Sequence, residues 1–252
     1  MSKTVLITGA TSGIGRACAD IFAKNNYRII ITGRRKERLN EIADKLQSDY
    51  GADVLTLNFD VRHRAEVEQN LGSLSDDWKQ IDILINNAGL AVGLNTIQEG
   101  EIEDWERMID TNVKGLLYVT RNIAPGMVAR KSGHIINIGS IAGKETYPFG
   151  NVYCATKHAV DSLTKAMRID MVKEGIKVTQ IAPGAVETEF SNVRFKGDDA
   201  KADAVYQGFE PLHPEDIADA VYYCASLPPH VNINDLLIMP TAQANATTII
   251  RQ

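Results

Sequence analysis

A tyrosine, a lysine and a serine fall close together in SIAGKETYPFGNVYCATK, the stretch from Ser140 to Lys157. Tyr153 and Lys157 are four residues apart, so on a helix they share one face and their functional ends can converge. That spacing sets an acid beside a cation. A phenol ionises at about 10 when unperturbed, and a nearby ammonium favours its ionised form, which brings it toward proton exchange near neutral pH. Ser140 adds a hydroxyl at the end of the apolar run His134 to Ile138, HIINI, which reads as a buried strand. Strand ends are where open α/β sheets place their ligand crevices. A Tyr and a Lys at this spacing can also simply decorate an amphipathic helix, so the pair takes its meaning from its surroundings.

Those surroundings begin at the other end of the chain. KTVLITGATSGIG is a short apolar strand followed by Gly9, Gly13 and Gly15, then a helical pattern with Ile14, Ala17, Cys18, Ile21 and Phe22 on one stripe. Glycines let a backbone turn tightly and approach a pyrophosphate, whose charge meets the unpaired amides and positive dipole end of the next helix. A strand-to-helix turn with no ligand would need one glycine, not three.

With these residues in hand the sequence resembles the short-chain dehydrogenase/reductase family. The resemblance rests on TGATSGIG (Thr8 to Gly15), NNAG (Asn86 to Gly89), Asn112, Ser140, the Tyr153 and Lys157 pair, and Pro183 with Gly184, all in family order across nearly the whole chain. It implies an α/β fold over residues 1–252, a single-domain Rossmann-type doubly wound parallel sheet flanked by helices. It makes Gly9, Thr11, Ser12, Gly13, Ile14 and Gly15 the cofactor loop. Asn87, Ala88 and Gly89 would border the adenosine half, and Pro183, Gly184, Val186 and Thr188 the nicotinamide half, although Thr188 also reads as a turn residue. It implies that Ser140 and Tyr153 hydrogen-bond the substrate oxygen, that Lys157 binds the nicotinamide ribose, and that Asn112 holds a water linking Lys157 to solvent. An Asn bonded only to backbone in a kinked helix turn is compatible with the same position.

Between the motifs, the chain reads as alternating strands and helices. Tyr27 to Thr32, Asp53 to Phe59, Ile81 to Ile85, Lys177 to Ile181 and Asp235 to Met239 are read as strands, with Pro183 and Gly184 breaking the sixth. Glu103 to about Lys131 is read as one long helix with Trp105, Met108, Ile109, Leu116 and Ile123 on its buried side. A helix from the Tyr153 site runs to about Lys173, and His213 to Ser226 forms the last. The residues just past the second strand select the cofactor. An acid there would accept from a ribose 2'-hydroxyl, whereas Arg34 and Arg35 can hold a 2'-phosphate, so the expected cofactor is NADP. A solvated basic helix start is the other reading, but cations are unfavourable at a helix N-terminus and two of them suggest an anionic partner. Asp60 matches the family acid that meets the adenine amino group, or else caps a helix. Residues 185–212 form a polar, irregular stretch expected to act as a substrate lid. Arg194 and Lys196 within it are candidates to receive a substrate carboxylate, against the plainer reading of solvated charge, and Tyr147 is a further candidate substrate contact.

At 252 residues, 44% hydrophobic and 23% charged with a formal net charge of -5, the chain suits one large globular domain and shows no basic excess for nucleic acid. No apolar run approaches the ~18 residues of a membrane span, no leader pattern stands at the N-terminus, and the expected compartment is the cytoplasm. Three scattered cysteines and five histidines without ligand spacing give no disulfide framework and no metal site. GRRKERL, DWERMIDTNVKGLLY, GNVYCATK, EFSNVRFKGDD and PPHVNIN resemble the branch of NADP-dependent 3-hydroxy acid dehydrogenases acting on serine, L-allo-threonine and 3-hydroxyisobutyrate-type acids. A 3-ketoacyl-carrier-protein or other carbonyl reductase is the alternative, and a non-catalytic NADP-sensing module a third. The resemblance also implies a homotetramer.

Overall fold

Short runs of apolar residues separated by amphipathic helices leave the chain one economical arrangement, a parallel sheet with both faces covered. The computed structural model describes residues 2–252. Its elements are β1 (Thr4–Ile7), α1 (Gly13–Lys24), β2 (Arg28–Gly33), α2 (Lys36–Tyr50), β3 (Val54–Asn58), α3 (Arg64–Gly72), α4 (Asp76–Lys79), β4 (Ile83–Asn86), α5 (Ile102–Ile109), α6 (Leu116–Arg130), β5 (His134–Ile138), α7 (Asn151–Met171), β6 (Lys177–Pro183), α8 (Phe190–Arg194), α9 (Asp199–Ala204), α10 (Pro214–Ser226) and β7 (Asp235–Ile238). The 7-stranded sheet runs in the order β3-β2-β1-β4-β5-β6-β7, with every pairing parallel. The order reverses between β1 and β4, the point where such a sheet opens a crevice at the carboxyl ends of its strands.

Successive strand residues face opposite ways, and here both parities are apolar. Val5, Ile7, Ile29, Ile31 and Ile85 pack with Phe22 of α1, Leu46 of α2 and Val221 of α10. The alternate residues Leu6, Ile30, Leu84, Ile135 and Val178 pack with Val67 of α3, Met127 of α6 and Val160 of α7. One polar ladder crosses this second face. Asn86 and Asn137 are register partners, and Asn86 Nδ2 donates to Thr120 Oγ1 and to Asn137 Oδ1, both at 2.9 Å. Asn137 Nδ2 donates to Thr164 Oγ1 at 2.9 Å. A buried amide left unpaired costs ~1–3 kcal/mol, so the ladder specifies how α6 and α7 sit on the strands.

Most strand bounds differ from the sequence reading by only one or two residues, but three expectations need correcting. The helix expected from Glu103 to Lys131 is interrupted by a π-helical turn, Asp110–Gly115, between α5 and α6. The wider turn re-phases the buried stripe to Met108, Thr111, Asn112, Gly115 and Leu116, and it leaves Ile109 exposed although a regular 3.6 repeat would bury it. Pro183 does not break β6. It pairs with Ile238 of β7, and β5 has already ended opposite Ile181, so the missing N–H forfeits no ladder bond on that flank. The stretch 185–212 is irregular only in part, since it holds α8 and α9, which pack against each other with Ser191 and Ala202 buried. Helices of 5 and 6 residues are too short to show a periodic pattern.

Candidate active site

The turns that leave β1, β2, β3, β4, β5 and β6 all open onto one cavity of ≈ 480 Å³ along the carboxyl edge of the sheet. At one end stand Arg34, Arg35 and Asp60; at the other, Tyr147, Tyr153 and Arg194. The glycine loop forms its floor. Gly9 and Gly13 both have positive φ, +66 and +52, and a Cβ on Gly9 would come within 2.9 Å of Ala88 Cα. A Cβ on Gly15 would meet Asn87 Nδ2 at 2.4 Å, so Gly15 supports the loop from behind and does not itself line the cavity. Asn87 Nδ2 donates to the carbonyls of Thr8 and Gly9 at 2.9 and 3.1 Å, which ties the β1 and β4 turns together. Ser12 occupies the N-cap of α1 without capping it, since its Oγ accepts from Arg35 Nη2 at 2.9 Å. The first amides of α1 are thereby left without a side-chain partner, as an anion site at a helix N-terminus requires.

The two arginines are not equivalent. Arg35 donates from Nε and Nη2 to Thr11 Oγ1 at 3.1 and 2.8 Å, and from Nη1 to Glu189 at 2.8 Å. Among the described residues Arg34 has only a 3.8 Å charge contact, with Asp60, and its donors are free. Asp60 does not cap α3, whose N-cap is His63. Burial would raise its pKa, but the Arg62 side chain and backbone N–H both bond it and hold the carboxyl below its usual range.

Ser140 leaves β5 in extended conformation, φ -174, and its Oγ accepts the Ala142 N–H at 3.1 Å. Tyr153 and Lys157 share one face of α7, both buried. The electrostatics differ from the expectation drawn from their spacing. Burial pushes the Tyr153 phenol up, the Tyr147 phenol adds to this, and the Ser140 hydroxyl and the Arg194 guanidinium pull back only in part. Burial lowers Lys157 to about 8. Its Nζ lies 6.0 Å from the Tyr153 ring centroid and donates to the Ile138 carbonyl at 2.9 Å. Helical spacing brings the two side chains onto one face, but the open strand-end carbonyl claims the ammonium.

Asn112 sits in the π-helical turn, outside the cavity lining. Its Oδ1 accepts from Leu90 N at 2.8 Å, and its Nδ2 donates to Leu90 O at 2.8 Å and Thr156 Oγ1 at 3.0 Å. Both amide hydrogens are spent on structure, and a single Oδ1 lone pair is left for any water. That oxygen and Lys157 Nζ flank Gly89, where a Cβ would lie 3.3 and 3.7 Å from them.

Of the remaining expected residues, Ala88, Pro183, Gly184, Val186 and Thr188 line the cavity, with a Cβ on Gly13 reaching Thr188 at 3.1 Å. Arg194 donates to Tyr147 Oη at 3.0 Å, stacks 5.8 Å from the Tyr153 ring centroid and keeps a buried Nε with no partner. Lys196 is elsewhere, paired with Asp104 at 2.8 Å and Glu101 at 3.5 Å, and therefore ties the segment after α8 to the start of α5. Among the lining residues that belong to no motif visible in the sequence are Glu189, Phe190 and Gln243. Phe190 packs edge-on against Tyr153 at 5.6 Å, and as an aromatic in a polar stretch it is the one of the three with a local signal. Gln243 Oε1 accepts from Ala185 N at 2.8 Å, a contact across 58 residues that no local pattern announces.

Residues 3–199 match the short chain dehydrogenase family. The chain belongs to that family. An NADP-dependent 3-hydroxy acid dehydrogenase of Salmonella typhi is 51% identical over 96% of both chains. Sulfoacetaldehyde reductase 2 of Chromohalobacter salexigens is 45% identical over 97% of this chain and 96% of its own. Among solved structures, a serine dehydrogenase in its closed form complexed with NADP+ superposes with a TM-score of 0.92 at 49% identity, covering 99% of each chain. Within this short-chain dehydrogenase no helix among the described residues is long and apolar enough to cross a membrane.

The buried Lys157 makes a testable demand on stability. Its folded pKa of about 8 lies below the ordinary lysine value of 10.5, so between these values the unfolded chain binds more protons and stability rises with pH. Lys157→Met should raise the stability of the cofactor-free protein at pH 7 by about 2 kcal/mol, after allowing about 1 kcal/mol for the lost bond to Ile138. Urea unfolding across the pH range should show this gain fading above about 8 and absent above 10.5.

Proposed function

We propose that this short-chain dehydrogenase is an NADP-dependent oxidoreductase that interconverts a small 3-hydroxy acid of the serine, L-allo-threonine or 3-hydroxyisobutyrate type with its 3-oxo acid or semialdehyde. The observation that carries the substrate class is Arg194, a cation whose buried Nε is unpartnered beside the Tyr153 ring. A buried donor of this kind calls for an anion, and a carboxylate held there sets the rest of a short substrate against Tyr153 and Ser140. The 51% identical relative, named for 3-hydroxy acids, supports the same reading. The residues present also fit the cofactor: an uncapped α1 N-terminus for the pyrophosphate and free Arg34 donors for a 2'-phosphate.

Bound NADP supplies the hydride acceptor or donor. In oxidation, Ser140 and Tyr153 would hydrogen-bond the substrate hydroxyl, and Tyr153, after passing its own proton toward Lys157 and solvent, would take the hydroxyl proton while the carbon gave up hydride to the bound cofactor; in reduction the protonated Tyr153 would give its proton to the oxygen. The raised pKa keeps Tyr153 protonated in the cofactor-free protein, which suits the donor role. Lys157 binds the nicotinamide ribose, and Asn112 holds the β4 turn and α7 together while offering Oδ1 to a water beside Lys157. Thr188, Val186 and Gly184 meet the nicotinamide, Asp60 the adenine, and Tyr147 positions Arg194. Residues 185–212 serve as the lid. Exposed Ile102, Ile109 and Leu117 on α5 and α6 support a homotetramer, and free buried Cys18, Cys154 and Cys224 support a reducing, cytoplasmic location.

The reading is tested by NADP reduction with a panel of 3-hydroxy acids and matched neutral alcohols. Arg194→Met should raise KM for the acids about 10- to 100-fold, the worth of a charged hydrogen bond, and leave the neutral alcohols little changed; equal losses would remove the anion assignment. Tyr153→Phe should lower kcat at least about 100-fold with NADP binding near normal by calorimetry, and an active variant would refute Tyr153 as acid and base. Arg34→Ala should weaken NADP far more than NAD, measured by fluorescence titration of both.

A further inference from the structure

The lid meets the cofactor end of the cleft through an acid that belongs to neither expected set of contacts. Glu189 stands at the N-cap of α8, next to Thr188 and five residues before Arg194. Its Oε2 accepts from Arg35 Nη1 at 2.8 Å and its Oε1 from Arg38 Nη1 at 2.6 Å. Both arginines come from the start of α2, on the opposite side of the glycine loop. Since Arg35 also donates to Thr11 and Ser12, one guanidinium joins the cofactor loop to the lid. The arrangement also satisfies α2, because arginines at a helix N-terminus need an anion nearby and Glu189 is that anion. The three side chains remain 40 to 47% exposed. Ion pairs so exposed are weak one at a time, which suits a contact that must open and close in each turnover.

We infer that Glu189 is a positioning residue: through Arg35 and Arg38 it latches α8 over the cleft, holding Thr188 and Arg194 where cofactor and substrate meet them. Its charge then governs affinity and release and leaves the proton and hydride steps alone. The inference rests on the assignment of the cleft to NADP and a small anionic substrate. It assigns Arg34 the larger share of any 2'-phosphate, because both sides of the Arg35 guanidinium are already bonded to the protein.

Glu189→Gln keeps the size of the side chain and removes its charge. NADPH release, followed by stopped-flow fluorescence, should quicken about 3- to 10-fold, and KM for cofactor and acid should rise together with kcat unchanged or higher. Raised salt should speed release from the unaltered protein more than from the variant, whose remaining salt dependence comes from the contact of Arg34 with the 2'-phosphate. Arg38→Gln should act in the same direction, and the double variant should be no worse than the stronger single one. Amide exchange over residues 190–204, measured with NADP and no substrate, should be faster in Glu189→Gln. Exchange and cofactor release do not depend on which acid is turned over, so a failed substrate panel would not touch them. Unchanged release and exchange in Glu189→Gln, fully additive effects, or a fall in kcat at constant KM would each overturn the latch.

Discussion

The hydrogen bond from Lys157 Nζ to the Ile138 carbonyl is the contact on which the site's geometry turns. It joins the first turns of α7 to the end of β5, one residue before Gly139 and two before Ser140. An ammonium taken from water needs compensation, and a strand-end carbonyl with no ladder partner provides it. In satisfying that carbonyl, Lys157 brings Tyr153 under the same edge of the sheet that presents Ser140. Backbone packing tightens the arrangement, since a Cβ on Gly143 would lie 2.6 Å from the Lys157 carbonyl. Lys144 then bridges Asp161, one helical turn past Lys157, to Asp235 on β7, with Gln180 also donating to Asp161 at 3.0 Å. Ser140 and α7 are thus registered against three strands.

The fold is legible in the sequence because burial on both faces of a parallel sheet demands continuous apolar strands, and runs such as HIINI and RIIIT have no other soluble use here. The cofactor floor is legible for a related reason: Gly9, Gly13 and Gly15 mark close backbone approaches that admit no side chain, and such positions show in any sequence. Arg34 and Arg35 show as a pair but not as unequal partners, because the groups that occupy Arg35 are Thr11, Ser12 and Glu189, 24, 23 and 154 residues away in the chain. Long-range charge pairing leaves no local trace.

Other features are hidden by their own physics. The effect of Lys157 on Tyr153 is expected from spacing, which fixes the face of a helix but not where a flexible four-carbon chain places its charge; desolvation and the Ile138 carbonyl decide that. Lys196 looks like Arg194 on paper, two cations in one polar stretch. A positive φ of 53 at Lys196 turns it toward α5, whereas Arg194 is stacked on two tyrosines. The two short helices α8 and α9 have no sequence signature, since a single helical turn carries no period.

The wide turn at Asp110–Gly115 sets this site apart from the core in one respect. It contains one residue more than a regular helix would need to reach the same point. Deleting that residue would restore ordinary winding while α6 kept its phase, so Leu116, Val119 and Met127 would still face the sheet. Asn112 would lose the widened backbone that presents its amide to Leu90 and Thr156. In this segment the site depends on one residue that the interior does not need.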